Sequence, residues 1–169
     1  MKGKFNQLVS EAEVADQSWR KKHWRSIVSS YSKAHYFENM SSGFERFFLE
    51  NDERNLSRIN LHLIKHVCSL LNIETKISSS RNYEHGQGRT QRLLDLCLGA
   101  NAKVYLSGPA AKGYLDVDRF RDEGIAVRWM DYSGYPVYAQ LHGDFEHRVS
   151  IVDTLFNVGP EARNVVCTR

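Results

Sequence analysis

Residues Lys103 to Tyr114 read KVYLSGPAAKGY, and this stretch decides the fold. A short apolar run, Val104-Tyr105-Leu106, stops abruptly in Ser107, Gly108 and Pro109. An apolar run of that length bounded by turn residues reads as a buried strand. The small residues after it let the backbone close on a ligand, with Ser107 as a hydrogen-bonding group and Lys112 as a cation for a phosphate or carboxylate. A sharp turn out of a strand would leave the same signature without any ligand. Working outward, Ile73 to Ser79 and Ile125 to Met130 are two further short strand candidates, and the apolar periodicities of Thr90 to Leu98 and Leu115 to Glu123 predict helices between them, the second ended by Gly124. Strands alternating with helices through short links imply parallel strands joined by crossovers. In such sheets, ligands bind outside the carboxyl ends of the strands. The expected fold is therefore α/β: a Rossmann-like parallel sheet of short strands flanked by helices, with three strand ends sharing one edge.

The half of the chain before this sheet is helical in pattern, over about residues 18–71. Asp16 or Ser18 can cap a first helix whose inward face carries Trp19, His23 or Trp24, Ile27, Val28 and Tyr31, with Arg20, Lys21, Arg25 and Lys33 directed elsewhere. Tyr36 to Glu50 has a strong apolar face interrupted at Ser41-Ser42-Gly43, which predicts one broken helix or two short ones. Leu56 to Leu71 gives the clearest helical period, with Asn72 placed for a left-handed cap. Leu8 to Ala15 alternates weakly, as an edge strand would, and Val149 to Asn157 is a closing helix stopped by Gly159 and Pro160. Residues 1–169 are expected to form a single domain.

Composition narrows the function classes. With 41% hydrophobic and 25% charged residues, the 169-residue chain sits near the globular average, which excludes fibrous and disordered classes. The net charge of +3 is mild, and the one dense basic patch, Arg20 to Arg25, argues only weakly for nucleic acid. Cys68, Cys97 and Cys167 are odd in number and widely spaced, so neither a disulfide framework nor a Cys-x-x-Cys metal site is indicated. MKGKFNQLVSEAEV lacks the apolar run of a signal peptide, and no window approaches a membrane span, so the chain is expected in the cytoplasm. The sequence names no cofactor and no metal.

Four groups of residues carry candidate chemistry. In His85-Gly86-Gln87-Gly88-Arg89-Thr90, a helix start offers backbone N–H groups and positive dipole to an anion, Gly86 and Gly88 permit close approach, and Arg89 adds a bidentate donor. The alternative is a plain turn capped by Thr90. In Asp131-Tyr132-Ser133-Gly134, a carboxylate at the same sheet edge can bind sugar hydroxyls, act as a base or hold a metal, or can only close an Asx turn. His142, in a long loop with Asp144, Glu146 and His147, is suited to proton transfer near neutral pH. Trp24 and Arg25, with Trp19 and His23, offer stacking on a base or sugar, or else form an aromatic face of the core. His62 and His66, four apart, read as helix-surface residues.

Several of these stretches, Trp19 to Ser26, Arg92 to Cys97, Tyr105 to Asp116, Trp129 to Tyr132, Gln140 to Gly143 and Ser150 to Ala162, strongly resemble the WbqC-like protein family. The resemblance implies an association with bacterial surface-polysaccharide, or O-antigen, biosynthesis. It also implies a transferase-type domain whose partner is a nucleotide sugar or another phosphorylated small molecule. From the chemistry of the residues themselves, Asp131 and His142 are the catalytic candidates, with Gly86, Gly88, Arg89, Thr90, Ser107, Gly108, Lys112, Tyr132, Trp24 and Arg25 as ligand contacts. A non-catalytic binding or assembly module of the same pathway is the alternative. Family members also carry an amino-terminal block with a His-Gln-Pro motif, which this sequence lacks. The domain is therefore expected to be incomplete, with an exposed sheet edge covered either by a second copy of the chain or by an altered packing.

Overall fold

The computed structural model describes residues 7–167. In chain order, its helices and strands are α1 (Ser18–Tyr31), α2 (Phe37–Glu50), α3 (Leu56–Leu70), α4 (Arg89–Gly99), β1 (Val104–Ser107), α5 (Val117–Asp122), β2 (Ala126–Trp129), α6 (Ile151–Val158) and α7 (Ala162–Val166), with short 3-10 turns between some of them. The architecture is mixed helix and strand, with a small parallel sheet flanked by helices. The chain divides into two compact units. One comprises Met1–Glu74 and Tyr135–Arg169, the other Thr75–Gly134.

The α/β unit is built on β1 and β2, which pair in parallel with Val104 opposite Ala126 and Ser107 opposite Trp129. One sheet face, Tyr105, Val127 and Trp129, packs on a core of Leu94, Cys97, Ala111, Leu115, Phe120 and Ile125. Phe120 is fully buried and stacks on Tyr105 at 5.2 Å. Gly124, at φ 70°, adopts the left-handed conformation that ends α5 and turns the chain into β2. The third expected strand is absent: Ile73–Ser79 is irregular and pairs with nothing in the sheet. Its β-branched residues satisfy strand propensity but no neighbouring strand pairs with them, and without a ladder propensity alone makes no strand.

The helical unit packs α1, α2, α3 and α6 around Trp24, Phe44, Phe47, Phe48, Ile59, Leu155 and Phe156. Four expectations change here. Leu8–Ala15 is not a strand but a 3-10 turn at Val9–Glu11 followed by one antiparallel bridge, Glu13 to Asn55. The Ser41-Ser42-Gly43 interruption does not break α2, because Ser41 is buried and Gly43 leaves the space into which the His66 ring packs. His66 is accordingly half-buried against Phe44 rather than a surface residue. Arg20 does not point into water. It is 3% exposed, lies over the Trp19 and Phe47 rings, and donates to the backbone oxygens of Phe47 and Glu53 at 3.1 and 2.5 Å. Asn72 takes the left-handed conformation (φ 51°) expected after α3.

Candidate functional site

Within the α/β unit, the candidate residues gather where β1 and β2 end. Ser107 closes β1, is buried, and its carbonyl accepts the Met130 N–H at 2.8 Å, extending the ladder one step past β2. Gly108 then leaves the strand, and a side chain there would sit 3.6 Å from the Tyr132 hydroxyl, so Tyr132 lies close over this turn. The next residues coil into a 3-10 turn, Pro109–Gly113, which carries Lys112 back over β2. The Lys112 ammonium stands 5.7 Å from the centroid of the Trp129 ring.

The start of α4 contributes the second cation. The Arg89 guanidinium lies 5.4 Å from the Tyr114 ring, and the hydroxyl of Thr90 accepts the N–H of Asp116 at 3.3 Å. These contacts tie the helix start to the segment that follows Lys112. Thr90 is thus a tertiary link rather than the helix cap, a position held by Gly88 at φ 90°. Neither Arg89 nor Lys112 makes an ion pair among the described residues. Two cations supported on aromatic faces retain their hydrogen-bonding capacity for an oxyanion.

Gly86 has a different role from the one its place in a glycine-rich turn suggests. Its N–H donates to Asp95 Oδ2 at 2.7 Å, and Gln91 donates to Asp95 Oδ1 at 2.6 Å. The Gly86 hydrogen bond, followed by that from Gln91, holds the Asp95 carboxyl below the usual carboxylate range. An anion would find the Gly86 donor occupied and a negative charge beside it. Asp131 Oδ1 accepts the N–H of Ser133 at 2.8 Å, closing an Asx turn at the end of β2.

The other candidates belong to the helical unit. Trp24 is buried and stacks on Phe37 and Phe48 at 6.1 and 6.4 Å, which gives its ring to the core and leaves Arg25 exposed beside it. His142 is exposed, and its Nε2 lies 3.1 Å from the Ser30 carbonyl. A carbonyl only accepts, so Nε2 carries the proton and Nδ1 is the basic nitrogen of the neutral ring.

Sequence reasoning missed three arrangements. Trp129 and Tyr114, the rings under the two cations, lie 17 and 25 residues from their partners. Nothing local in the sequence links them. The third is the buried carboxylate of Asp153, which accepts from the Tyr138 hydroxyl at 2.8 Å and from the Gln140 amide at 3.0 Å and anchors the loop that precedes α6. Burial, reinforced by the neighbouring Asp153 carboxylate, pushes the Tyr31 hydroxyl up to about 12. An acidic residue in the first turn of a largely apolar helix was the available signal. Among the described residues, no group of three or more His, Cys, Asp or Glu is arranged to hold a metal ion, and no helix is long and apolar enough to cross a membrane.

These features define a mixed α/β protein with a small parallel sheet whose strand ends carry Lys112 over Trp129. Comparison with known proteins makes the assignment specific: the chain belongs to the WbqC-like protein family, whose model matches residues 1–165. It is 43% identical over 162 residues to the uncharacterized protein Rv1507c of Mycobacterium tuberculosis, a match covering 96% of this chain and 70% of that relative. No solved structure matches the chain.

Proposed function

We propose that the α/β unit binds the phosphate of a nucleotide sugar or another phosphorylated sugar or acyl donor at the carboxyl ends of β1 and β2, as a transferase-type protein of bacterial surface-polysaccharide (O-antigen) biosynthesis. The observation that carries the reading is the pair Arg89 and Lys112. Each lies over an aromatic ring, and neither is neutralised by a carboxylate among the described residues. Aromatic support limits the rotamer freedom of a long cationic side chain, so less entropy is lost when it engages an oxyanion. Gly108 keeps the first turn after β1 small enough for a ligand to approach the backbone, and Tyr132 supplies a hydroxyl and a ring at the same turn. Asp131 and His142 remain the candidates for hydroxyl recognition and proton transfer, and residues 1–169 are the working domain.

The test is calorimetric titration with a panel of nucleotide sugars and aminoacyl donors. Binding that weakens in Arg89→Ala and Lys112→Ala supports the reading. The Asx turn at Asp131 favours a second one, a non-catalytic binding module of the same pathway. In that case Asp131→Ala and His142→Ala leave the polysaccharide made in vivo unchanged, while Lys112→Ala does not.

A further inference from the structure

From Gln17 to Phe37 the sequence contains five cationic side chains, Arg20, Lys21, Lys22, Arg25 and Lys33, and no acidic one. That segment therefore carries +5, against +3 for the whole chain. The structure separates these charges. Arg20 is turned into the core, while Lys21, Lys22, Arg25 and Lys33 are exposed, and none of the four makes an ion pair among the described residues. Lys21, Lys22 and Arg25 lie at offsets of three and four on the solvent side of α1. Asp16, just before the helix, accepts the Ser18 N–H at 2.6 Å and is the acidic group that acts on Lys22.

We propose that this face of α1 is a docking surface for an anionic lipid bilayer, held there by the phosphates of its headgroups. Charge complementarity favours a polyanion, and the aromatic arrangement favours a lipid surface over nucleic acid. Trp24 is buried, and Trp19 packs edge-on against His23 and Phe48, so the face offers no free indole on which a base would stack. What remains is a compact cluster of three exposed cations, Lys21, Lys22 and Arg25, within about 6 Å along α1, with Lys33 just past the helix end, which fits a plane of headgroups. Three cations, each strengthening attachment about fivefold, give an association constant on the order of 10² M⁻¹ for acidic bilayers, weak and reversible. The surface belongs to the helical unit, and this inference does not rest on the phosphate reading of the α/β unit.

Vesicle co-sedimentation of the whole chain tests the proposal. At low salt, vesicles of phosphatidylcholine with about 30% phosphatidylglycerol should retain the protein at least about fivefold better than phosphatidylcholine alone, and about 0.5 M NaCl should release it. The triple variant Lys21→Glu/Lys22→Glu/Arg25→Glu should fall to the phosphatidylcholine level with an unchanged thermal melt, whereas Lys65→Glu on α3 should bind like the parent. Equal retention on both vesicle types, or full retention of the triple variant, overturns the proposal. Displacement from acidic vesicles by duplex DNA at equal phosphate concentration also overturns it, in favour of a nucleic-acid surface.

Discussion

The Lys112 ammonium lies over the ring of Trp129, 5.7 Å from its centroid, so the last residue of β2 supports the cation delivered by the turn after β1. Removing the ring while keeping the charge separates support from attraction. Trp129→Leu should weaken phosphate-ligand binding about threefold to tenfold through loss of the cation–π contact, and Lys112→Ala should weaken it at least as much. Titrating each variant with the same ligand checks the order. Equal binding by Trp129→Leu and the parent would show that the ring is core and nothing more.

The imidazole of His66 occupies the space a Cβ would need at Gly43. Gly43→Ala should therefore destabilise the helical unit by about 1–3 kcal/mol through overpacking. Adding His66→Ala should recover part of that loss, and a double-mutant cycle by urea denaturation measures the coupling.

His66 also sets an acid sensitivity. Burial, and secondarily the nearby His62, lowers its pKa from the ordinary 6.5. The unfolded chain thus takes up a proton before the folded one, so the stabilisation present above pH 6.5 is lost as pH falls through the lower folded value. Denaturation midpoints measured from pH 7.5 down to about 5 should decline, and His66→Gln should flatten the decline. At the alkaline end the sign is the opposite. Tyr31, raised from 10.0 to about 12, keeps its proton after the unfolded chain has lost it, so its contribution is complete below pH 10 and fades toward pH 12.

Arg20 and Asp153 are the two buried charged side chains among the described residues of the helical unit, and each is held by hydrogen bonds. Arg20→Met keeps the stem but strands the Phe47 and Glu53 carbonyls, and should cost about 1.5–3 kcal/mol. Tyr138→Phe removes one of the Asp153 donors, and should cost about 1–3 kcal/mol and loosen the loop around Gln140. Thermal melts and amide hydrogen exchange over residues 135–149 measure these effects.

Much of the fold was legible because it depends on local signals. The apolar period of Leu56–Leu70, the strand runs at Val104 and Ala126, and the left-handed positions Asn72 and Gly124 are each written in a few consecutive residues. What failed depended on partners distant in the chain. Ile73–Ser79 looks like a strand but has no ladder to join, and Ser41-Ser42-Gly43 looks like a break but is the seat of a histidine from α3. Arg20 sits on the same helical face as Trp24, four residues on, and that spacing was the available clue to its burial. At the candidate site, Arg89 and Lys112 stand out in the sequence as cations next to small residues. The rings beneath them and the carboxylate that claims Gly86 become visible only once the chain is folded.

The central claim, that the strand edge of the α/β unit is a phosphate site, is tested most directly by calorimetry. The parent chain and the Arg89→Ala, Lys112→Ala and double variants would be titrated with a panel of nucleotide sugars at fixed low salt. The expected result is saturable binding that weakens about tenfold in each single variant and more in the double, with thermal melts unchanged. Absence of binding across the whole panel, or equal binding by parent and double variant, would contradict it.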